Sequence, residues 1–128
     1  MNAPYRVLVT GSRDWDDVAT IGAAIEQAVI DAGERPVVIV HGDCPSGADW
    51  HADHYARWMR GKGCRVDVEQ HPANWQINGK RAGFIRNAHM VNLGADLCLA
   101  FIRNSSRGAT HTAHLAEKAG IPVRRWTA

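Results

Sequence analysis

The 128 residues, 45% hydrophobic and 22% charged, are the size of one compact domain, and this composition excludes an intrinsically disordered chain. A formal net charge of +2 is too small for a nucleic-acid coat, and no apolar run approaches the length that spans a bilayer. Residues 1–128 are therefore read as a single domain, with no linker, internal repeat or low-complexity tract. Cys44, Cys64 and Cys98 are an odd number without CxxC spacing, which suggests neither a disulfide framework nor a zinc knuckle. With "MNAPYRVLVTGSR" lacking a basic leader and a long apolar core, the expectation is a soluble, cytoplasmic protein.

"YRVLVT" (5–10) is apolar and β-branched and predicts a first strand; in the following stretch Val18, Ile21, Ala24, Ile25, Ala28 and Val29 recur at helical spacing. "PVVIVHG" (36–42) predicts a second strand, and residues 46–63 a helix with Ala48, Ala52, Tyr55 and Met59 on one face. Residues 64–71 alternate as an edge strand does, residues 95–102 predict a fourth strand and residues 121–126 a short fifth. Helices are expected at 79–93 and 109–119, the latter closed by Gly120 and Pro122. Five strands alternating with four helices imply a three-layer α/β/α Rossmann-like fold with a parallel sheet in the order 3-2-1-4-5. Ligands of such sheets bind beyond the carboxyl ends of the strands, at the switch point between strands 1 and 4.

The loops at that edge carry the candidate residues. In "TGSRDWDD" (10–17), Gly11 permits close backbone approach, Ser12 offers a hydroxyl, Arg13 suits a phosphate or carboxylate, and Asp16 or Asp17 is a helix N-cap. The turn is not a GxGxxG fingerprint, so a standard dinucleotide mode is not indicated. In "HGDCPSGADWHAD" (41–53), Gly42 and Gly47 bracket a loop that opens a helix, where exposed N–H groups attract anions. Ser46 is expected to cap that helix, and Asp49 either answers the helix dipole or binds a ribose hydroxyl. His51 and His54 are spaced for a metal with Asp49 or Asp53, but no third anchor is apparent and a solvated helix face is the simpler reading; no metal or cofactor is expected. In "FIRNSSRGATHTAH" (101–114), Gly108 and Thr110 open the last helix as a phosphate-binding turn would.

"HPANWQINGKRAGFIRNAHM" (71–90) places Lys80, Arg81 and Arg86 in the first turns of a helix, where cations oppose the dipole unless an anion offsets them. Asn87 is expected to share a face with Lys80. Trp75 is either a platform for a base or a cover for the core edge.

"GSRDW", "VHGDCPSGAD", "HPANWQINGKRAGFIRNAHM" and "LAFIRNSSRGATHTAHLAEKAGIPV" together resemble the YspA-like branch of the SLOG superfamily, related to YpsA, to the DNA-processing protein DprA and to the LOG phosphoribohydrolases. The resemblance spans nearly the whole chain and implies a nucleotide site at Gly11, Ser12, Arg13, Gly42, Gly47, Asp49, Lys80, Arg86, Asn87, Gly108 and Thr110. It also implies a homodimer or higher oligomer. The LOG enzymes carry a "PGGxGTxxE" turn; if Thr110 matches its Thr, the Glu position is Ala113, so a hydrolase of that type must use Asp49 or Asp14 instead. The expected function is binding of a nucleotide or a phosphorylated derivative such as an ADP-ribose-like signal. The alternative is a phosphoribohydrolase or N-glycosidase with Asp49 as its catalytic group. DNA binding, by analogy with DprA, is disfavoured by the modest charge.

Overall fold

The structure, a computed structural model, describes residues 3–128. Its strands are β1 (Tyr5–Gly11), β2 (Val37–His41), β3 (Val66–Gln70), β4 (Leu97–Ile102) and β5 (Val123–Thr127), all parallel in the order β3-β2-β1-β4-β5. The three-layer Rossmann-like architecture expected from the sequence is the one observed. The helices are α1 (Val18–Ala32), α2 (Gly47–Gly61), α3 (Trp75–Asn78), α4 (Ala82–Leu93) and α5 (Arg107–Lys118). None is long and apolar enough to cross a membrane.

Side chains alternate across a strand, so each central strand serves two cores. Val7 and Val9 of β1, Ile39 of β2 and Leu99 and Phe101 of β4 pack with Ile21, Ile25 and Ala28 of α1 and Ala48, Ala52 and Ala56 of α2. Leu8, Val40 and Cys98 point the other way, onto Met90 and Val91 of α4 and Ala116 of α5. The small residues of α2 let it lie close to the sheet, and Gly22 of α1 leaves space for the Tyr55 ring, which a Cβ there would strike.

The edge strands are half-exposed. On β5, Arg124 reaches Asp31 of α1 at 2.7 Å and Arg125 reaches Glu117 of α5 at 2.6 Å. On β3, Asp67 pairs with Arg60 at 2.8 Å, and Glu69 accepts a two-pronged bond from Arg6 of β1 at 2.9 and 2.8 Å.

Asp17, of the two candidate caps, accepts from the Thr20 N–H and caps α1. Ser46 stands at the N-cap position of α2 but caps nothing; its hydroxyl donates to the Arg13 carbonyl at 3.0 Å. The single helix expected over 79–93 begins earlier and is broken. Asn74 caps the one-turn helix α3, Gly79 ends it at φ +58, a 3₁₀ turn covers Gly79–Arg81, and α4 follows.

Candidate functional site

β1 and β4 are neighbours whose following chains leave in opposite directions, and a cleft of about 460 Å³ opens between them at their carboxyl ends. Its floor is the end of β1 with Thr10, together with Asp49 of α2 and Asn87 and Met90 of α4. Its rim is formed by Arg13, Trp75, Lys80, Phe84, Arg103 and the start of α5 at Gly108.

Of the residues singled out in the sequence, Gly11, Ser12, Arg13, Asp49, Trp75, Lys80, Arg86, Asn87 and Gly108 line this one cleft. Gly42, Gly47 and Thr110 do not line it. The two glycines shape its wall from behind: a Cβ on Gly42 would strike the Arg86 guanidinium, and one on Gly47, at φ +73, would strike the backbone of Ser12 and Arg13. The Ala48 N–H, at the start of α2, donates to the Ser12 carbonyl at 3.2 Å, so this helix end is engaged by protein. Thr110 lies inside α5, its N–H directed at the Ser106 carbonyl.

Several expected ligand groups are already engaged. The Ser12 hydroxyl accepts from the Arg103 N–H at 2.7 Å and donates to the Arg103 carbonyl at 3.2 Å, tying the loop after β1 to the loop after β4. Arg86 donates through Nη1 to the Gly42 and His71 carbonyls and through Nε to the Asn87 Oδ1. Its charge is thus met by backbone and amide oxygens from three segments. Arg13 and Lys80 are exposed and form no ion pair among the described residues. The Arg13 guanidinium lies 5.8 Å from the centroid of the Trp75 ring, within cation–π range.

Asp49 is buried, and its Oδ2 accepts from the Gly42 and Cys44 N–H groups at 3.1 and 3.4 Å. It therefore pins the loop before its own helix. Burial pushes its carboxyl above the ordinary carboxylate range, against the opposing pull of His41, the Cys44 groups and Arg86. The neighbouring Cys44 thiol is also raised, chiefly by burial and then by Asp49, so it stays protonated at neutral pH and is a poor nucleophile.

Beneath this loop, the His41 Nδ1 accepts from the Asp43 N–H at 3.0 Å, which leaves Nε2 to donate to Asp53 at 2.7 Å; Arg57 completes the chain at 2.6 Å. His54 stacks on Trp50 with ring centroids 3.6 Å apart, and no three metal-ligating side chains converge among the described residues. The three non-glycine residues with positive φ among those described, Asp43, Asn104 and Ser105, all lie in loops at this edge of the sheet. Strain of this kind concentrates at functional sites.

Sequence alone did not single out Thr10, Phe84, Met90 or Arg103, all of which line the cleft. Two signals pointed to some of them. Arg103 follows β4 as Arg13 follows β1, and Gly83, Asn87 and Met90 follow helical spacing on one face of α4.

A family model described as "YspA, cpYpsA-related SLOG family" matches residues 5–77, from β1 into α3. Over 118 residues the chain is 46% identical to the Gene 61 protein of Mycobacterium phage D29, covering 92% of this chain and 93% of that relative. No solved structure matches. The second half of the cleft, from Lys80 to the start of α5, lies beyond the family model but within reach of an alignment that spans nearly both chains. On these two likenesses the chain belongs to the YspA, cpYpsA-related SLOG family.

Proposed function

We propose that the cleft binds a nucleotide or a phosphorylated nucleotide derivative, such as an ADP-ribose-like molecule. The observation that carries this reading is the rim: two cations without a carboxylate partner, Arg13 and Lys80, stand beside the exposed rings of Trp75 and Phe84 at the switch point of the sheet. Cations bind the phosphate, a ring packs on the base, and the first turn of α5 at Gly108 adds backbone N–H groups. Family membership, which suggests nucleotide-related binding or processing in general, supports it.

Calorimetric titration with adenosine 5′-phosphate, ADP, ADP-ribose and inorganic phosphate tests the reading. Saturable binding by at least one nucleotide, weakened about tenfold in Arg13→Ala and in Lys80→Ala, is expected. Absence of binding across the panel, or unchanged binding in both variants, overturns it.

Asp49 and Asp14 both line the cleft, and the first is a buried carboxyl with a raised pKa, which favours a second reading as a phosphoribohydrolase-type N-glycosidase. Release of free base from nucleoside monophosphates, lost in Asp49→Asn, would establish turnover. Bound nucleotide recovered intact after prolonged incubation would leave binding alone.

A further inference from the structure

The floor of the cleft differs in chemistry from its rim. Thr10, Asp49 and Asn87 are each more than nine-tenths buried, with 7%, 6% and 8% of their surface exposed, and all three line the cleft. Each keeps hydrogen-bonding capacity that the protein does not use. Both N–H groups that reach Asp49 end on Oδ2, and no N–H or O–H among the described residues bonds its Oδ1. Asn87 accepts from Arg86 through Oδ1, which turns the two N–H groups of Nδ2 away from that bond, and they find no acceptor among the described residues. The Thr10 hydroxyl likewise bonds nothing among them.

Buried polar groups are normally partnered, because an unpaired one loses its hydration with nothing to replace it. Yet no side-chain nitrogen or oxygen among the described residues is both sealed from solvent and unpartnered. The three free atoms therefore reach solvent, and the cleft is the surface that their residues share; together they offer an acceptor, a donor and a hydroxyl that can be either.

We propose that this floor receives the cis-diol of a ribose, with Asp49 Oδ1 accepting from one hydroxyl, Asn87 Nδ2 donating to a hydroxyl oxygen, and Thr10 completing the set. The proposal rests on the reading of the cleft as a nucleotide site and adds which part of the ligand goes deep. The rim holds the cations and the rings, so phosphate and base lie outward; the sugar, which links them, lies inward. Each ribose hydroxyl both donates and accepts, which matches a mixed set of groups better than a purely cationic or purely apolar floor would. Asp49 thereby becomes a specificity-determining residue, independent of any turnover.

Calorimetry with adenosine 5′-phosphate, its 2′-deoxy and its 2′,3′-dideoxy counterparts tests this. The wild-type chain is expected to bind the ribonucleotide about tenfold or more tighter than the dideoxy form, since the dideoxy ligand leaves the buried groups of the floor without the partners that the diol supplies. Asp49→Asn narrows that ratio to below about threefold, whereas Arg13→Ala weakens all three ligands by the same factor.

Because Asp49 also pins the loop before α2, Thr10→Val is the second variant: it removes a hydroxyl that holds nothing in the fold and is expected to reduce the ratio with an unchanged melting curve. Equal binding of the ribo and dideoxy forms by the wild-type chain overturns the proposal and leaves the nucleotide reading standing. Undiminished discrimination in both Asp49→Asn and Thr10→Val also overturns it. Failure of all three nucleotides to bind overturns the diol proposal, and the nucleotide reading falls with it when ADP and ADP-ribose fail to bind as well.

Discussion

The wall of the cleft made by residues 41–49 and the wall made by residues 74–81 are held in different ways. In the first, His41 is buried and bonded at both ring nitrogens, Asp49 takes two backbone N–H groups, and Arg86 crosses from α4 to the Gly42 carbonyl. In the second, α3 has no buried residue, Ile77 is 79% exposed, and Trp75 is half-exposed. A segment with few buried apolar contacts opens at low cost, while a loop bonded from three sides opens only with much of the domain. One cleft thus combines a preset polar floor with an adaptable aromatic rim.

Substitutions that break the pinned wall should have the largest effect. Gly47→Ala forces a side chain into a left-handed backbone and against Ser12 and Arg13. It should lose about 3 kcal/mol or more of stability, read by urea unfolding; a loss under about 0.5 kcal/mol would show that this wall yields easily.

Arg86→Ala comes next. It strips a donor from the Gly42 and His71 carbonyls and from Asn87 together, and about 2–4 kcal/mol should go. Arg86→Lys should recover less than half of this, because an ammonium cannot reproduce the planar fork that serves three oxygens.

The sheet beside the pinned wall should also weaken in acid, through Glu69 of β3. The Arg6 guanidinium, helped by His71, holds the Glu69 carboxyl down at about 2 from an ordinary 4.5. A depressed carboxyl stabilises the fold above its unfolded pKa, and that contribution fades as pH falls from about 4.5 toward about 2. With 35% of the Glu69 side chain exposed, solvent screening reduces it to about 1 kcal/mol. Glu69→Gln should therefore lower the urea midpoint at pH 6 and match the wild type near pH 2.

The smallest effect belongs to the other wall: Trp75→Ala should change stability by less than about 0.5 kcal/mol. A larger loss in thermal unfolding would mean that α3 is part of the core and not a rim.

The same contrast governs what could be read from sequence. Strand order was legible because β1, β2 and β4 are continuous apolar runs, and the edge strands betray themselves by alternation and charge. Arg13 and Lys80 were legible as cations placed where ligands of such sheets bind. The break in the helix after Asn78 was not, since Lys80 and Arg81 are good helix formers and Gly79 marks an end only once Asn74 is seen to start a turn before it. Thr10 was hidden inside its own strand. The bracing role of Arg86 depends on carbonyls 44 and 15 residues away, and no local pattern encodes them.

The paired arginines of β5 bear on a different hazard. A parallel sheet with two open edges offers unpaired backbone groups on which a further strand can add, and copies of one chain are the nearest source of such strands. Arg124 leans to α1 and Arg125 to α5, so successive residues of this edge are bent to opposite faces and tied there by carboxylates. At β3, Asp67 and Glu69 are tied by Arg60 and Arg6. An incoming strand would have to displace these pairs and bring its own side chains against charge at alternate positions, which keeps the five-stranded sheet from growing into a polymer.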